Sequence, residues 1–246
     1  MAIPAAGHRG IQNGVMVFQR FLKKLSVVTL MPAIRWYLRK ERRYVWGGIP
    51  IRVFTGVFHP GFFSSTSFLL SFLKEQDLNQ RSLLELGCGT GLISIFASKK
   101  GAVVTASDLS LIAIENARVN AKLNNADVAI VQSDLFDNIP VVSLDWIVIN
   151  PPYYAKNPDT EASLAWYCGE NFDYFRKLFS GLGNYMHAAT QVIMVLTKGC
   201  DTKSIIKIAE SADLKLRLIR EKSVLFDEKD YLFSIEKVNS SGGHPA

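Results

Sequence analysis

The sequence predicts a doubly wound α/β fold, in which helices cover both faces of a mostly parallel sheet. Two short and almost uninterrupted apolar runs, residues 82–86 and 146–149, have the pattern of strands that are buried on both faces. Strand and helix patterns alternate along most of the chain, which is typical of parallel strands joined by crossover helices. The last two strand patterns follow each other directly, so we expect a final hairpin and an antiparallel last strand.

The individual elements follow from the spacing of apolar residues and from the turn residues between them. Helix patterns cover residues 67–74, 92–99, 111–123, 172–186 and 202–212. Strand patterns cover residues 82–86, 103–107, 128–132, 146–149, 192–196, 214–226 and 231–238. The acidic residues 227–230 are predicted to form the turn of the final hairpin.

The alternating pattern divides the chain into three parts. Residues 57–238 carry it and are predicted to form one domain. Residues 1–56 precede it as a basic extension. Residues 239–246 are small and polar, so we expect them to form a disordered tail.

The extension is predicted to contain two helices and a hairpin. Apolar residues recur at helical spacing over residues 11–25, and a second helix is expected to begin at Pro32 and to end near Arg43. Residues 44–54 have the pattern of a hairpin, with Gly47 and Gly48 as its two-residue turn.

The formal net charge of +6 is concentrated at the start of the chain. Residues 1–56 contain ten Lys or Arg residues and one acidic residue, Glu41, whereas the remaining 18 basic residues are outnumbered by 21 acidic ones. This asymmetry suggests an acidic partner surface, and one reading of the extension is a platform for RNA or the ribosome. The pattern leaves two alternatives open, which are a basic amphipathic helix on a membrane surface and two helices packed on the domain with solvated basic faces.

Several classes of protein are not supported by the composition. No run of 18 apolar residues predicts a transmembrane segment, and residues 1–13 lack the pattern of a signal peptide. The three cysteines and four histidines are scattered without the spacing of a metal site. We therefore expect a reduced, cytoplasmic protein without a structural metal.

A glycine-rich turn follows the first apolar run. Its sequence from Glu85 to Gly91 is E-L-G-C-G-T-G, and the predicted helix 92–99 comes directly after it. Glycines at Gly87, Gly89 and Gly91 let the chain leave a strand sharply and bring bare backbone close to a ligand at the helix N-terminus. The G-x-G-x-G spacing resembles the S-adenosylmethionine loop of class I methyltransferases more than a nicotinamide loop. A tight strand-to-helix turn without a ligand is the alternative.

A second motif, Asn150-Pro151-Pro152-Tyr153, follows the apolar run 146–149. Two prolines without N–H groups form a stiff loop that continues neither a strand nor a helix. The Asn150 amide, the backbone carbonyls and the Tyr153 ring remain available, and these groups suit a planar –NH2 group. Because ligands of open α/β sheets bind beyond the carboxyl ends of the strands, we expect both motifs to face one site.

Other polar residues are predicted to reach the same edge of the sheet. Asp108 ends the second strand and is expected to accept hydrogen bonds from ribose hydroxyls, because Ser110 can cap the next helix in its place. Ser133 and Asp134 follow the third strand, where Asp134 is expected to meet an adenine amino group and Leu135 or Phe136 its face.

One aromatic loop precedes the first strand of the domain. Residues 57–66 contain it, and they are placed to close over a bound ligand. His59 in this loop is predicted to pack within the loop and not to act as a base.

Together these motifs resemble class I methyltransferases of the HemK/PrmC type, within the small-methyltransferase-domain group. Residues 165–172, A-W-Y-C-G-E-N-F, are similar to the A-W-x-G-G-x-x-G region of HemK-like glutamine methyltransferases, with Cys168 and Phe172 in place of glycines. The resemblance covers residues 57–238 and implies a Rossmann-like sheet of seven strands. The loop at residues 59–66 departs from the P-R-P-E-T type of bacterial members, and the extension is shorter than theirs.

The resemblance implies an enzyme that uses S-adenosyl-L-methionine to methylate a planar amino group. The implied catalytic residues are Asn150, Pro151, Pro152 and Tyr153. The implied cofactor-binding residues are Glu85, Gly87, Cys88, Gly89, Thr90, Gly91, Asp108, Leu109, Ser133, Asp134, Leu135, Phe136 and Asn150.

The motif does not choose the methyl acceptor. Glutamine N5 of a translation factor or ribosome-associated protein is the first expectation. Adenine N6 or guanine N2 of rRNA, tRNA or DNA is the alternative. A non-catalytic module that binds RNA or a membrane surface is a further reading of the same residues.

Overall fold

The computed structural model describes residues 38–224 and 228–238, and it is built from nine strands and five α-helices over those residues. Two short 3₁₀ turns, Glu161–Ala165 and Gly183–Tyr185, complete it. In chain order the elements are β1 (Arg42–Trp46), β2 (Ile49–Val53), α1 (Ser64–Lys74), β3 (Ser82–Leu86), α2 (Leu92–Lys99), β4 (Val103–Asp108), α3 (Leu111–Leu123), β5 (Val128–Gln132), β6 (Leu144–Ile149), α4 (Asp173–Leu182), β7 (Met186–Thr197), α5 (Thr202–Glu210), β8 (Leu214–Val224) and β9 (Glu228–Lys237).

Seven strands form one sheet in the order β5-β4-β3-β6-β7-β9-β8. The first five strands in this order, β5, β4, β3, β6 and β7, are parallel to one another. In contrast, β9 is antiparallel to both β7 and β8. This arrangement confirms the predicted doubly wound sheet with an antiparallel last strand. After β3 the chain adds β4 and then β5 on one side of β3, and it then crosses back to place β6 on the other side of β3. The strand order therefore reverses at β3, and ligands of such sheets bind beside the strand where the order reverses.

The sheet has an apolar layer on each face because neighbouring strand residues point to opposite sides. Leu84 and Ile147 belong to the cluster that α4 and α5 cover. Leu83 and Val148 belong to the cluster formed with α1, α2 and the β1-β2 hairpin. All four side chains are inaccessible to solvent, which explains why the two strands have continuous apolar sequences.

The β1-β2 hairpin has the predicted two-residue turn. Trp46 pairs with Ile49 across the turn, and Gly47 and Gly48 have φ angles of +53° and +82°. Positive φ at both central positions is the geometry that matches the twist of a hairpin.

A row of three asparagines on α3 holds this hairpin on the domain. Asn116 and Asn120 each donate a hydrogen bond to the Arg52 carbonyl, at 2.9 and 2.8 Å, and Asn120 also accepts one from the Arg52 amide. Asn124 donates to the Pro50 carbonyl at 2.7 Å. Residues four apart lie on one face of a helix, so the row satisfies the backbone of β2 at its otherwise open edge. The division predicted at residues 56 and 57 stays a prediction, but the hairpin packs against the domain.

Several predicted boundaries are confirmed and others are wrong. The strands 82–86 and 128–132 and the helices 92–99 and 111–123 have the predicted limits. The helix predicted over residues 172–186 ends at Leu182, and β7 begins at Met186 instead of residue 192. The first half of β7 is mostly exposed and has no continuous apolar run, so the apolar pattern does not reveal this part of the strand. It pairs with β6 at a shift in register between Leu144 and Trp146, where the Thr190 hydroxyl donates a hydrogen bond to the Leu144 carbonyl.

The acidic turn predicted at residues 227–230 is also wrong, because β9 begins at Glu228. Asp230 pairs with Thr197 on one side and with Lys222 on the other, and it is buried. A charged residue inside a strand is hidden from a pattern that assigns acidic runs to turns.

The predictions for the ends of the chain are tested only in small part. The helix expected over residues 11–25 and the tail 239–246 lie outside the described residues. The predicted end of the second helix near Arg43 is wrong, because Arg42 and Arg43 belong to β1. Within the described parts of the chain, no helix is both long and apolar enough to cross a bilayer.

Candidate active site

A cavity of about 370 Å³ opens beyond the carboxyl ends of β3, β4, β5 and β6. Both sequence motifs line it, so the glycine-rich turn and the Asn150-Pro151-Pro152-Tyr153 loop face one shared space. All of the site residues predicted from the sequence line this cavity except Gly91 and Phe136. Parallel strands that end at one edge account for this convergence.

The glycine-rich turn holds its shape through positive φ angles and through Asp108. Gly89 has φ of +52°, and its amide donates a hydrogen bond of 2.9 Å to Asp108 Oδ2. Gly91 caps α2 with φ of +75° and lies against α3, where an added Cβ would meet the Ala117 Cβ at 3.1 Å. Gly91 therefore supports the turn from behind, and Gly89 brings backbone to the cavity.

Asp108 stands at the centre of the cavity edge. Its Oδ1 accepts a hydrogen bond from the Ser110 amide at 2.9 Å, and its Oδ2 accepts the Gly89 bond. Ser110 caps α3 by accepting from the Ala113 amide at 3.2 Å, as predicted. Burial raises the pKa of the Asp108 carboxyl, while the amides of Ser110 and Gly89 oppose that shift. Each carboxylate oxygen retains a second lone-pair direction.

Glu85 lies deeper, beneath the glycine-rich turn. Its Oε2 accepts a hydrogen bond from the Ser94 amide at 2.8 Å and another from the Ser94 hydroxyl. Burial raises the pKa of Glu85 to about 8, against the effect of both Ser94 donors. This carboxyl therefore joins β3 to the first turn of α2, and it lies next to the bottom of the cavity.

The segment after β5 is divided between cavity and core. Ser133, Asp134 and Leu135 line the cavity. The Phe136 ring instead stacks on the Tyr185 ring, with centroids 4.5 Å apart, and faces the apolar layer of α4. The face of a bound ring would thus be met by Leu135, which has a φ of +53° that turns the chain at this point.

The Asn150 side chain has a defined orientation. Its Nδ2 donates to the Thr66 hydroxyl at 3.4 Å, which leaves Oδ1 as an acceptor. The Tyr153 and Tyr154 amides both donate to the Trp166 carbonyl, at 3.2 and 3.0 Å. Burial raises the pKa of the Tyr153 hydroxyl, so it stays protonated near neutrality.

The loop predicted to close over the site does line the cavity, through Val57, Phe58, Pro60 and Thr66. The Phe58 ring packs on those of Phe63 and Trp166, with centroids 4.9 and 5.1 Å apart. This contact joins the loop before β3 to the segment after Tyr153, across about 100 residues of sequence.

His59 does not line the cavity. It is buried between the rings of Tyr44 and Phe62, and its Nδ1 accepts a hydrogen bond from the Gly61 amide. Burial lowers the pKa of this imidazole. His59 is therefore a packing residue of its loop, as predicted.

Three further residues at the cavity were not singled out from the sequence. Glu161 Oε1 accepts hydrogen bonds from the Ser110 hydroxyl at 2.7 Å and from the Ile112 amide at 3.4 Å. Lys177 donates to Asp134 and also to Asp137, each at 2.7 Å, and Tyr174 lies one helical turn before it. The i, i+3 spacing of Tyr174 and Lys177 on a predicted helix is the available signal. Nothing in the sequence indicates where Glu161 reaches.

No cluster of metal-ligand side chains occurs in the residues that the structure covers. The cavity lining combines backbone amides, an apolar wall and the Asn150 amide with the charged side chains of Glu85, Asp108, Asp134, Glu161 and Lys177.

Comparison with known proteins agrees with this arrangement. Residues 49–168 match the family model of the methyltransferase small domain. The chain is 38% identical over 113 residues to a Methanocaldococcus jannaschii protein named "Putative protein N5-glutamine methyltransferase", covering 46% of this chain and 55% of that protein. It is 39% identical over 105 residues to a ribosomal protein L11 methyltransferase of Thermosipho africanus, covering 42% and 40%. The chain thus spans about half the length of the curated relatives it matches.

A solved structure shares the fold at low sequence identity. The Thermus thermophilus 16S rRNA N2 G1207 methyltransferase RsmC, solved with AdoMet and guanosine, aligns with a TM-score of 0.56 at 17% identity. The alignment covers 79% of this chain and 50% of that chain. Residues 49–168 therefore resemble a methyltransferase small domain, and the chain is similar to proteins that are named as methyltransferases.

Proposed function

We propose that this chain is an S-adenosyl-L-methionine-dependent N-methyltransferase that acts on a planar amino group of a macromolecule. The observation that carries the proposal is the shared cavity, which the glycine-rich turn lines from one side and the Asn150-to-Tyr153 loop from the other. Bound S-adenosylmethionine would supply a methyl group carried on a sulfonium centre.

The residues around the glycine-rich turn fit such a cofactor. Asp108 has one lone-pair direction left on each oxygen, which suits the two hydroxyls of a ribose. The Gly89 backbone approaches the cavity without a side chain in the way. Asp134 offers an acceptor for an exocyclic amino group, and the Leu135 side chain offers an apolar surface for a ring.

The loop after β6 fits a flat nitrogen acceptor. Asn150 Oδ1 and the Pro151 carbonyl can accept the two N–H hydrogens of an amide or a base, because Asn150 Nδ2 is turned toward Thr66. Acceptors on both hydrogens stabilise the positive charge that develops on a nitrogen being alkylated. Tyr153 offers a neutral aromatic face to the same group.

This chemistry requires no general base before methyl transfer. The proton leaves the nitrogen after its pKa has fallen through alkylation. Alignment of the two reactants accounts for much of the acceleration, within the roughly 7–11 kcal/mol available to well-oriented pairs. His59 faces its own loop, which is consistent with a mechanism that does not use it.

Glutamine N5 of a translation factor or ribosome-associated protein is the acceptor that we propose first. The similarity to a protein whose name specifies N5-glutamine, at 38% identity, supports this choice. A base of RNA or DNA is the second candidate, and the ten basic residues among residues 1–56 favour it. Contact with the ribosome is compatible with both.

Calorimetry tests the cofactor assignment. Asp108→Ala should weaken S-adenosylmethionine binding about 10- to 100-fold, since hydrogen bonds to a charged acceptor contribute about 1.5–3 kcal/mol. Asp137→Ala is the matched control, because this carboxylate also contacts Lys177 but does not line the cavity. Equal affinity of the Asp108 variant and the wild type would remove the ribose assignment.

Labelling identifies the acceptor. The wild-type chain is incubated with methyl-labelled cofactor and a lysate, and the product is divided between RNase and protease digestion. Label that protease releases and RNase leaves supports glutamine, whereas the opposite result selects RNA. Absence of transfer to either polymer, together with absence of cofactor binding, would overturn the proposed function.

A further inference from the structure

The Tyr174 hydroxyl has no hydrogen-bond partner in the part of the chain that the structure describes. Tyr174 lies in the first turn of α4, and its backbone amide donates to the Cys168 carbonyl at 3.0 Å. The residue as a whole is only partly buried, but its hydroxyl is enclosed and makes no hydrogen bond within the described residues.

Such a hydroxyl is costly in a folded protein. An enclosed polar group without a hydrogen bond destabilises the fold by about 1–3 kcal/mol. For this reason most buried polar groups in folded proteins have a hydrogen-bond partner. A buried group without one calls for an explanation, such as a ligand that supplies the hydrogen bond when it is bound. Tyr185 shows the ordinary case nearby, because its hydroxyl donates to the Ile139 carbonyl at 2.8 Å.

The location of Tyr174 indicates where the missing partner belongs. Tyr174 lines the same cavity as Asp108 and Asp134. The charges of these two carboxylates add to burial in raising the pKa of the Tyr174 hydroxyl, so the group is near both and stays protonated. A protonated hydroxyl can both donate and accept a hydrogen bond.

The same helical turn is fixed on both sides. Lys177 joins α4 to Asp134 and Asp137, and Gly169 lies so close to Asp173 that an added Cβ would meet its Oδ2 at 2.1 Å. Lys177 thereby holds α4 against the segment after β5, and Asp173 packs on Gly169 at the start of the helix.

We propose that the Tyr174 hydroxyl completes its hydrogen bonding with the nucleoside half of the bound cofactor, which makes the first turn of α4 a third binding element beside Asp108 and Asp134. This inference rests on the proposed function. The ligand class is an adenine nucleoside, because the two neighbouring carboxylates suit ribose hydroxyls and an exocyclic amino group.

Two matched substitutions test the inference, with S-adenosylhomocysteine and adenosine as probes in calorimetry and with thermal unfolding of the chain without ligand. For Tyr174→Phe we expect binding of both probes to weaken about 2- to 13-fold, the equivalent of one neutral hydrogen bond of roughly 0.5–1.5 kcal/mol. The unfolding temperature without ligand should stay the same or rise, because the variant removes an unpaired polar group. Tyr185→Phe should behave oppositely, with a lower unfolding temperature and unchanged binding.

Each other outcome overturns the inference. Unchanged binding of both probes by Tyr174→Phe would show that the ligand does not use the hydroxyl. Loss confined to S-adenosylhomocysteine would exclude the nucleoside half. A lower unfolding temperature for Tyr174→Phe without ligand would show that the hydroxyl has a partner in the protein. Failure of the wild type to bind S-adenosylhomocysteine would instead overturn the proposed function on which the inference depends.

Discussion

The two sides of the cavity are built in different ways. Its floor consists of groups at the ends of parallel strands, such as Glu85, Asp108 and Asn150, and the backbone of the sheet fixes their positions. Its cover consists of the loop before α1, the segment 154–169 and the start of α4. Side-chain contacts join the loop to the segment (Phe58 to Trp166) and tie the cover to its surroundings (Glu161 to Ser110, and Lys177 to Asp134). Floor residues are thus placed by secondary structure, whereas cover residues depend on contacts between segments far apart in sequence.

We expect the largest effect from a change in the floor. Asn150→Ala should lower the rate of methyl transfer about 10²- to 10³-fold, the usual cost of losing one donor or acceptor that stabilises developing charge. Cofactor affinity should be retained, because the glycine-rich turn and Asp108 are untouched. Single-turnover transfer and calorimetry measure the two quantities. Asn138→Ala, at an exposed amide bonded to the Gln132 carbonyl, is the control, and full activity of the Asn150 variant would exclude its proposed role.

The second prediction concerns the pH dependence of stability that Glu85, in the floor, should produce. Glu85 has a pKa of about 8 in the folded chain and an ordinary value of 4.5. A raised pKa stabilises the fold fully below pH 4.5, and that contribution is lost as the pH rises through 8. Between these values the free energy of unfolding of the wild type should fall relative to that of Glu85→Gln, by up to about 1.4 kcal/mol per pH unit.

Urea unfolding at several pH values measures this difference. The same substitution at Glu210, which is exposed at the end of α5, controls for the loss of one carboxyl group. Parallel profiles of the wild type and Glu85→Gln would show that Glu85 keeps an ordinary pKa in the folded chain.

The smallest effect is expected in the cover. Glu161→Ala removes the hydrogen bonds to Ser110 and Ile112 that connect the cover to α3. Dissociation of S-adenosylhomocysteine, followed by stopped flow, should become about 2- to 10-fold faster, because solvent screens this exposed carboxylate and limits its two bonds to the effect of about one neutral hydrogen bond. Glu170→Ala is the matched control, because Glu170 is exposed directly after that segment and lies outside the cavity lining. Equal rates for Glu161→Ala and Glu170→Ala would contradict a closing role for Glu161.

The same contrast explains what the sequence can predict. The helix Leu92–Lys99 and the strand Ser82–Leu86 have local signals, namely glycines before the helix and an unbroken apolar run, so their limits are predictable. Asp108 and Asn150 are predictable as site residues because each directly follows a strand.

Other features carry no local signal. Phe136 follows the end of its strand as closely as a site residue does. Its position in the core depends on stacking with the Tyr185 ring, which lies nearly 50 positions later in the sequence. Glu161 lies on a short 3₁₀ turn, and its partners belong to a helix 50 residues earlier. Asp230 is hidden in a strand because Thr197 and Lys222 flank it there. Tertiary contacts decide each of these positions, and residue type alone does not show them.

The asparagine row on α3 has a consequence for how the chain can be shortened. Besides the Arg52 backbone, Asn120 Nδ2 bonds the Thr90 carbonyl at 2.9 Å, so one amide group links β2 to the glycine-rich turn. A truncated chain that starts at Val57 would leave three enclosed amides facing water and would uncover the apolar surface under Ile49, Ile51 and Val53. A shortened chain that keeps this packing therefore has to include the hairpin, residues 42–53, and Asn120 provides a direct hydrogen-bonded link from β2 to Thr90.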